Sequence, residues 1–415
     1  MDSASAVNPT RLGDPLTRLN IAAFLLSLTI YSPILVLFYT GRGLSLFQIL
    51  ALEAFNSAMI LMAEVPTGVL GDRIGVKRTV FAGYALQGVW IVILIFAHSY
   101  PVFLLGYAML GIAIALRSGA TEAWIYELLA ERGEEHRMTQ AQGAIWSAQL
   151  AGRIAGALLA VAVVRSATDG YFVLALAISA ASFFIAALLV LTVRSVRAHP
   201  LAPESSSLSL VGDGFRLLRR NPKLRKIALV TILTDPMQYA LLFLYQPYFE
   251  SAGTPLPLFG IAAALGAGLG AIAARSAHRF ESMLGLRRTF WLAVLAPSII
   301  YLLMALFERP YLAVLLYVAG FGLMQVREPL ASTMRNIHIR SYNRATALSL
   351  ISMGVGAWTL GGKLLSGWLA DQSLSLAFAI LGIVPLCALI LVRLSDEELV
   401  TNESNHRASD PATGT

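Results

Sequence analysis

The stretch GVLGDRIGVKRTV, residues 68–80, separates two long apolar runs and sets the reading of the whole chain. Gly68, Gly71 and Gly75 permit tight turns and close helix approach. Asp72 can bond to exposed amides or pair with Arg73, Lys77 or Arg78. The runs on either side, near 46–68 and 79–98, each have the roughly 20 mostly apolar residues that a helix needs to cross about 30 Å of hydrocarbon. Windows of that size, moved outward, find twelve such runs. Six fall near 16–40, 46–68, 79–98, 101–126, 139–164 and 171–194, and six near 224–250, 257–279, 289–307, 311–333, 346–369 and 374–394.

Composition agrees with this count. Of 415 residues, 57% are hydrophobic and 13% charged, against about 25% charged in soluble domains, and the mean hydropathy is +0.69. Too few charges remain to cover a water-soluble particle, so secreted scaffolds, nucleic-acid readers and ordinary cytosolic enzymes are set aside. The first fifteen residues are polar, so no cleaved signal peptide is expected and the first run should remain a membrane span. The single cysteine, Cys387, lies in an apolar run and can build neither a disulfide nor a thiolate metal site within the chain. No G-x-x-x-x-G-K-[ST] phosphate loop and no H-E-x-x-H cluster is present, and the six histidines fall at or near loops. The expected fold is an all-α membrane protein of twelve helices in two six-helix bundles. Its parts are 1–194, a polar linker at 195–222, 223–395, and a cytoplasmic tail at 396–415.

The net charge of +7 is a topology signal. With both termini inside, 24 of the 31 Lys and Arg fall in inner segments, while outer loops hold only Arg42, Arg165 and Arg309. The remaining four, Arg117, Arg153, Arg327 and Lys363, fall inside spans. This distribution removes the need for a nucleic-acid partner. It points to a multi-pass protein of an inner or plasma membrane whose partners are the bilayer and a small-molecule substrate.

The two halves are related. An offset of 210 residues maps Tyr107 onto Tyr317, Arg117 onto Arg327, Gly152-Arg153 onto Gly362-Lys363, and GVKRT (75–79) onto GLRRT (285–289). One constant shift across separate elements indicates parallel repeats about an axis along the membrane normal, a plan used by transporters with a midplane site.

With those residues in view, residues 68–80 resemble the signature loop of the major facilitator superfamily, G-x-L-x-D-R-x-G-R-K/R, with Val76 in place of the usual basic residue. The resemblance covers essentially the whole chain and implies a rocker-switch transporter with alternating access to a central cavity. It also implies that the loop latches the cytoplasmic ends of the halves, with Glu122 or Glu127 as the acidic partner of the basic cluster. Two departures bear on the drug/proton antiporter branches. The arginine usually found near Tyr107 sits at 117, and the G-x-x-x-G-P-x-x-G-G motif survives only as GRIAGALLA (152–160), without its proline or final glycines.

Charges within spans are costly, about 2.5–3.5 kcal/mol at helix centre on insertion scales, so each needs a partner, water or a function. Asp235, followed by Pro236, is the favoured proton-coupling or substrate carboxylate, against a structural role beside Arg327. Glu64 and Arg117 lie at similar depths and are expected to pair, with Asp235 or Glu328 serving Arg327. In the family layout Glu53 can meet Lys363 across the domain interface. Arg153 has no such acid, so it can hold an anionic group or serve as a packing residue bonded to carbonyls. Among the aromatic residues, Tyr31, Tyr107, Tyr239 and Tyr317 are expected to line the cavity. Others, including Phe38, Tyr39, Trp124, Tyr126, Trp146 and Tyr245, take the packing or interfacial reading.

Three functions follow. The resemblance implies a proton-coupled exporter of drug-like or amphipathic molecules, driven by the proton gradient with no cofactor and active as a monomer. The second reading is transport of an anionic metabolite or lysolipid held by Arg153 and Lys363. The third is a non-transporting membrane sensor on the same fold.

Overall fold

The computed structural model describes residues 14–194, 222–234, 236–337 and 344–392. The elements in the first half are α1 (Pro15–Leu26), a 3-10 turn (Ser32–Ile34), α2 (Leu35–Gly41), α3 (Leu46–Ile74), α4 (Val76–Phe96), α5 (Tyr100–Ala130), α6 (Met138–Val163) and α7 (Asp169–Leu191). The second half contains α8 (Pro222–Thr234), α9 (Pro236–Ser251), α10 (Pro257–Leu284), α11 (Leu286–Leu306), α12 (Pro310–Met324), α13 (Arg327–Ile337), α14 (Arg344–Gln372) and α15 (Leu374–Val392). Ten segments are long and apolar enough to cross a membrane. Together with the interrupted first pass, α1 to α2, and with α14, the described helices make twelve passes.

The interruptions have a common cause. A proline lacks an N–H and its ring collides with the carbonyl four residues back. Pro33 acts on Thr29, and α1 ends at Leu26, with the chain re-entering helix through the 3-10 turn. The freed Ile30 amide donates to the Ser179 hydroxyl on α7 at 3.0 Å, and the Ser182 hydroxyl donates to the Leu25 carbonyl at 2.6 Å. Neighbouring side chains thus satisfy the opened backbone, as an apolar surrounding requires. Pro329 acts in the same way on Gln325, and α12 stops at Met324 before α13 begins at Arg327. The fourth pass, α5, has no proline at the equivalent place and is continuous.

The expected loop at 68–80 shrinks to a single residue. Helix α3 continues to Ile74, and Gly75, with φ +85°, both ends it and starts α4. Only this glycine needs a backbone that side chains avoid. Gly71 faces the Thr79 side chain at 3.4 Å, and Gly68 meets nothing within 4 Å.

The chain divides into two compact units, Met1–Leu201 with Pro255–Ala264, and Ala202–Thr254 with Leu265–Thr415. In the first, α4 packs on α5 and α7, α5 on α3, and α1 on α6 and α7. In the second, α11 packs on α12 and α15, and α14 on α8, α9 and α15.

The 210-residue register holds in atomic detail within each unit. Gly285 repeats the role of Gly75 with φ +81°. The Thr79 hydroxyl donates to the Gly75 carbonyl at 3.0 Å, and the Thr289 hydroxyl donates to the Gly285 carbonyl at 2.9 Å. Phe38, Tyr39 and Tyr107 recur as Tyr248, Phe249 and Tyr317, six rings that are all buried.

Candidate functional site

Small residues let α1 and α6 approach within backbone contact. A Cβ on Gly152 would strike the Phe24 carbonyl, and one on Gly156 would lie 2.8 Å from the Thr29 amide nitrogen. The surviving half of the glycine motif therefore seats α6 against the interrupted part of the first pass. Gly260 is equally tight against the Ala157 carbonyl.

Between Gly152 and Gly156 stands Arg153, exposed and ten residues before the end of α6, a rise of about 15 Å. It forms no hydrogen bond or ion pair among the described residues. Its register partner Lys363 lies nine residues before the end of α14, about 14 Å by the same rise. Lys363 is 6% exposed and holds its ammonium 4.9 Å from the centre of the Tyr239 ring on α9. That is cation–π range. Two of the expected cavity residues, Lys363 and Tyr239, are thus brought together, and Tyr239 is 43% exposed.

The remaining aromatic candidates are packed. Tyr31, Tyr107 and Tyr317 are buried, where the sequence reading placed them on a cavity wall. The Tyr31 ring meets Trp90 at 5.8 Å, and Trp90 meets Tyr107 at 6.0 Å. Tyr317 stacks between Tyr245 at 4.2 Å and Phe321 at 5.8 Å. The hydroxyls of Tyr39 and Tyr107 share a hydrogen bond of 2.9 Å, and Tyr107 is also hydrogen-bonded to the Glu53 side chain. The sequence reading named Glu53, the only charged residue from Leu46 to Ala63, but as a partner for Lys363 and not for Tyr107.

The expected Glu64–Arg117 ion pair is not formed. Glu64 is exposed on α3, and Arg117 instead lines a cavity of about 160 Å³ with Tyr84, Thr121, Glu122, Gln142 and Gln149. The Arg117 Nε and the Gln142 Oε1 are buried there without hydrogen-bond partners among the described residues. Arg327, 5% exposed, donates to the Thr231 carbonyl at 3.3 Å and to the Thr234 hydroxyl at 3.2 Å, with Glu328 at 3.8 Å. The α12–α13 interruption makes Arg327 the first residue of a helix, which turns it toward the end of α8. Asp235 lies outside the described residues.

Of the loop charges, Asp72, Arg73 and Arg78 are exposed and Lys77 half-buried, and none makes an ion pair among the described residues. Among the described residues no ion pair joins this cluster to Glu122. Among the described residues no group of three or more His, Cys, Asp or Glu is placed to hold a metal.

The model of the Major Facilitator Superfamily matches residues 19–338. The chain belongs to this superfamily. Solved facilitator structures share its fold at low sequence identity. A point mutant of the nucleoside transporter NupG superposes with TM-score 0.79 at 15% identity over 92% of this chain and 99% of its own. A bacterial homologue of the human lysosomal transporter Spinster, inward-facing and unoccupied, gives 0.68 at 14% over 93% and 97%. The peptide transporter POT in complex with sulfate gives 0.67 at 17% over 93% and 95%. No curated protein sequence matches the chain. The facilitator is a multi-pass membrane transporter and not an enzyme. Its two repeats supply a symmetric scaffold on which the charged and aromatic positions differ from half to half.

Proposed function

We propose that this facilitator is a proton-coupled secondary transporter of small amphipathic molecules, with preference for those that carry a negative group. The observation that carries the reading is Arg153, an exposed cation deep in a membrane-crossing helix with no carboxylate partner among the described residues. A guanidinium in that position is expensive to keep unless it meets water or an anion, and its planar fork suits a carboxylate or phosphate. Within the other unit, at the register-equivalent position, Lys363 has the Tyr239 ring beside its ammonium. Outward export of lipophilic cations is the second reading, favoured by the exposed rings of Tyr126, Trp146 and Tyr239. The charge distribution supports cytoplasmic termini in an inner or plasma membrane. One chain holds both repeats, so a monomer suffices, and the proton gradient replaces any cofactor.

The test is transport in proteoliposomes under an imposed pH gradient, with a mixed panel of lipophilic cations and organic anions, for wild type, Arg153→Ala and Asp235→Asn. A charge-assisted hydrogen bond contributes about 1.5–3 kcal/mol, so Arg153→Ala should lower anion kcat/KM by roughly 10- to 150-fold. Cation movement that is indifferent to Arg153 and lost in Asp235→Asn would establish drug-type export instead. Movement of no compound at all would leave the sensor reading.

A further inference from the structure

Glu53, Tyr107 and Tyr39 form a hydrogen-bonded chain that runs from a carboxyl on α3 through α5 to α2. Glu53 is half-buried and seven residues into α3, about 10 Å from that helix end. Tyr39 and Tyr107 are completely buried. Trp90 closes the group with edge contacts to Tyr31 and Tyr107, and its indole N–H is buried without an acceptor among the described residues. The titratable groups facing the carboxyl within this unit are Tyr31 from the interrupted segment, Tyr39 from α2 and Tyr107 from α5.

A tyrosine hydroxyl both donates and accepts. With Glu53 ionised, Tyr107 donates to the carboxylate and Tyr39 donates to Tyr107. With Glu53 protonated, the carboxyl donates to the Tyr107 oxygen and Tyr107 donates to Tyr39. Reversing the two hydroxyls lets the same heavy-atom geometry serve both protonation states, with all three groups hydrogen-bonded in each. A purely structural hydrogen bond has no need of that second arrangement.

The second repeat provides an internal reference. At an offset of 210, Tyr107 recurs as Tyr317, but Tyr39 becomes Phe249 and Glu53 becomes Ala263. The Phe249 ring still meets Tyr317 edge-on at 5.6 Å, so the aromatic wall closes without the hydroxyl or the carboxyl. The extra polar atoms in the first repeat are therefore not required by packing.

We infer that Glu53, with the hydroxyls of Tyr107 and Tyr39, is a proton-binding site of this transporter. The inference rests on the proton-coupled reading above and adds a carrier in the first repeat, independent of Asp235. The probe is the proton itself. Infrared difference spectra of purified full-length protein between about pH 5 and about pH 8 should show a protonated-carboxyl band. Glu53→Gln should remove it, and Tyr107→Phe should move both its frequency and its midpoint. Tyr39→Phe should move it less. A band of wild-type amplitude in Glu53→Gln, or one unmoved in Tyr107→Phe, overturns the assignment, and Tyr107→Phe alone decides if the first variant does not fold. In vesicles, Glu53→Gln should retain exchange of a transported panel compound and lose its acceleration by the pH gradient. Acceleration that survives in Glu53→Gln overturns the coupling role. If wild type moves nothing under a gradient, the transport reading fails, whereas the spectra judge the site separately.

Discussion

Replacing Gly156 with alanine tests whether the α1–α6 contact holds the interrupted first pass in place. The added Cβ would stand 2.8 Å from the Thr29 amide nitrogen, about 0.6 Å short of the 3.4 Å at which ordinary contact begins. Its other near neighbours, at 3.1 and 3.2 Å, are the carbonyl carbons of Thr29 and Leu28. All are backbone, so no rotamer can relieve the clash, and the segment carrying Tyr31 must retreat. Overpacking of this kind costs about 1–3 kcal/mol, set against a gain of up to about 1 kcal/mol for alanine over glycine inside a helix. Gly143 on the same helix supplies the control, because it is exposed and meets nothing within 4 Å. Gly143→Ala therefore registers the propensity gain alone, and Gly156→Ala should fall below it by about 1–3 kcal/mol. At ~2–4 °C per kcal/mol, that is a melting temperature roughly 2–12 °C lower in thermal unfolding of the purified protein. Gly152→Ala, which meets the Phe24 carbonyl, should be worse still. A Gly156→Ala protein as stable as Gly143→Ala would refute the close-approach argument.

Two further substitutions separate roles that the sequence merges. Gly75→Ala places a side chain at φ +85° and ψ 150°, a region reserved for glycine at a cost of order 1–3 kcal/mol. Gly68→Ala, in open helix, should be neutral or stabilising, and equal losses in thermal unfolding at the two positions would contradict the single-residue hinge. Thr234→Val removes an acceptor from the buried Arg327 and should cost about 0.6–1.7 kcal/mol, the range for hydrogen bonds between membrane helices. An unchanged melting temperature would mean that the Thr231 carbonyl and Glu328 suffice for that guanidinium.

The fold was legible because its signals are additive. Each span needs only an apolar run of sufficient length, and the basic segments need only recur on alternate sides. Boundaries were less legible: α3, α5 and α10 run several residues past their apolar windows, since a helix continues through polar sequence until a residue such as Gly75 stops it. The interruptions had visible causes in Pro33 and Pro329, but a proline inside α3, Pro66, leaves that helix intact. Proline position alone does not say whether neighbouring groups will satisfy the opened backbone, as Ser179 does for Ile30.

Pair assignments were the least legible part, because depth along a helix does not give its rotation. Glu64 and Arg117 share a depth, yet one is exposed and the other lines a polar cavity. Glu53 and Tyr107 come together because α3 packs on α5 with those faces opposed. The repeat supplies some of the missing information. Where the halves agree, as at Gly75 and Gly285 or Thr79 and Thr289, the shared residue answers a backbone need that both copies have. Where they disagree over a conserved geometry, backbone need cannot be the reason. Tyr39 and Glu53 against Phe249 and Ala263 are such a disagreement, and so is Arg153, without a partner among the described residues, against Lys363 beside its tyrosine. The proposed coupling of proton and substrate requires chemical differences between the two repeats. In this chain the breaks place a carboxyl with two hydroxyls in the first repeat and an ammonium beside a tyrosine ring in the second, differences that can be mutated separately in each half.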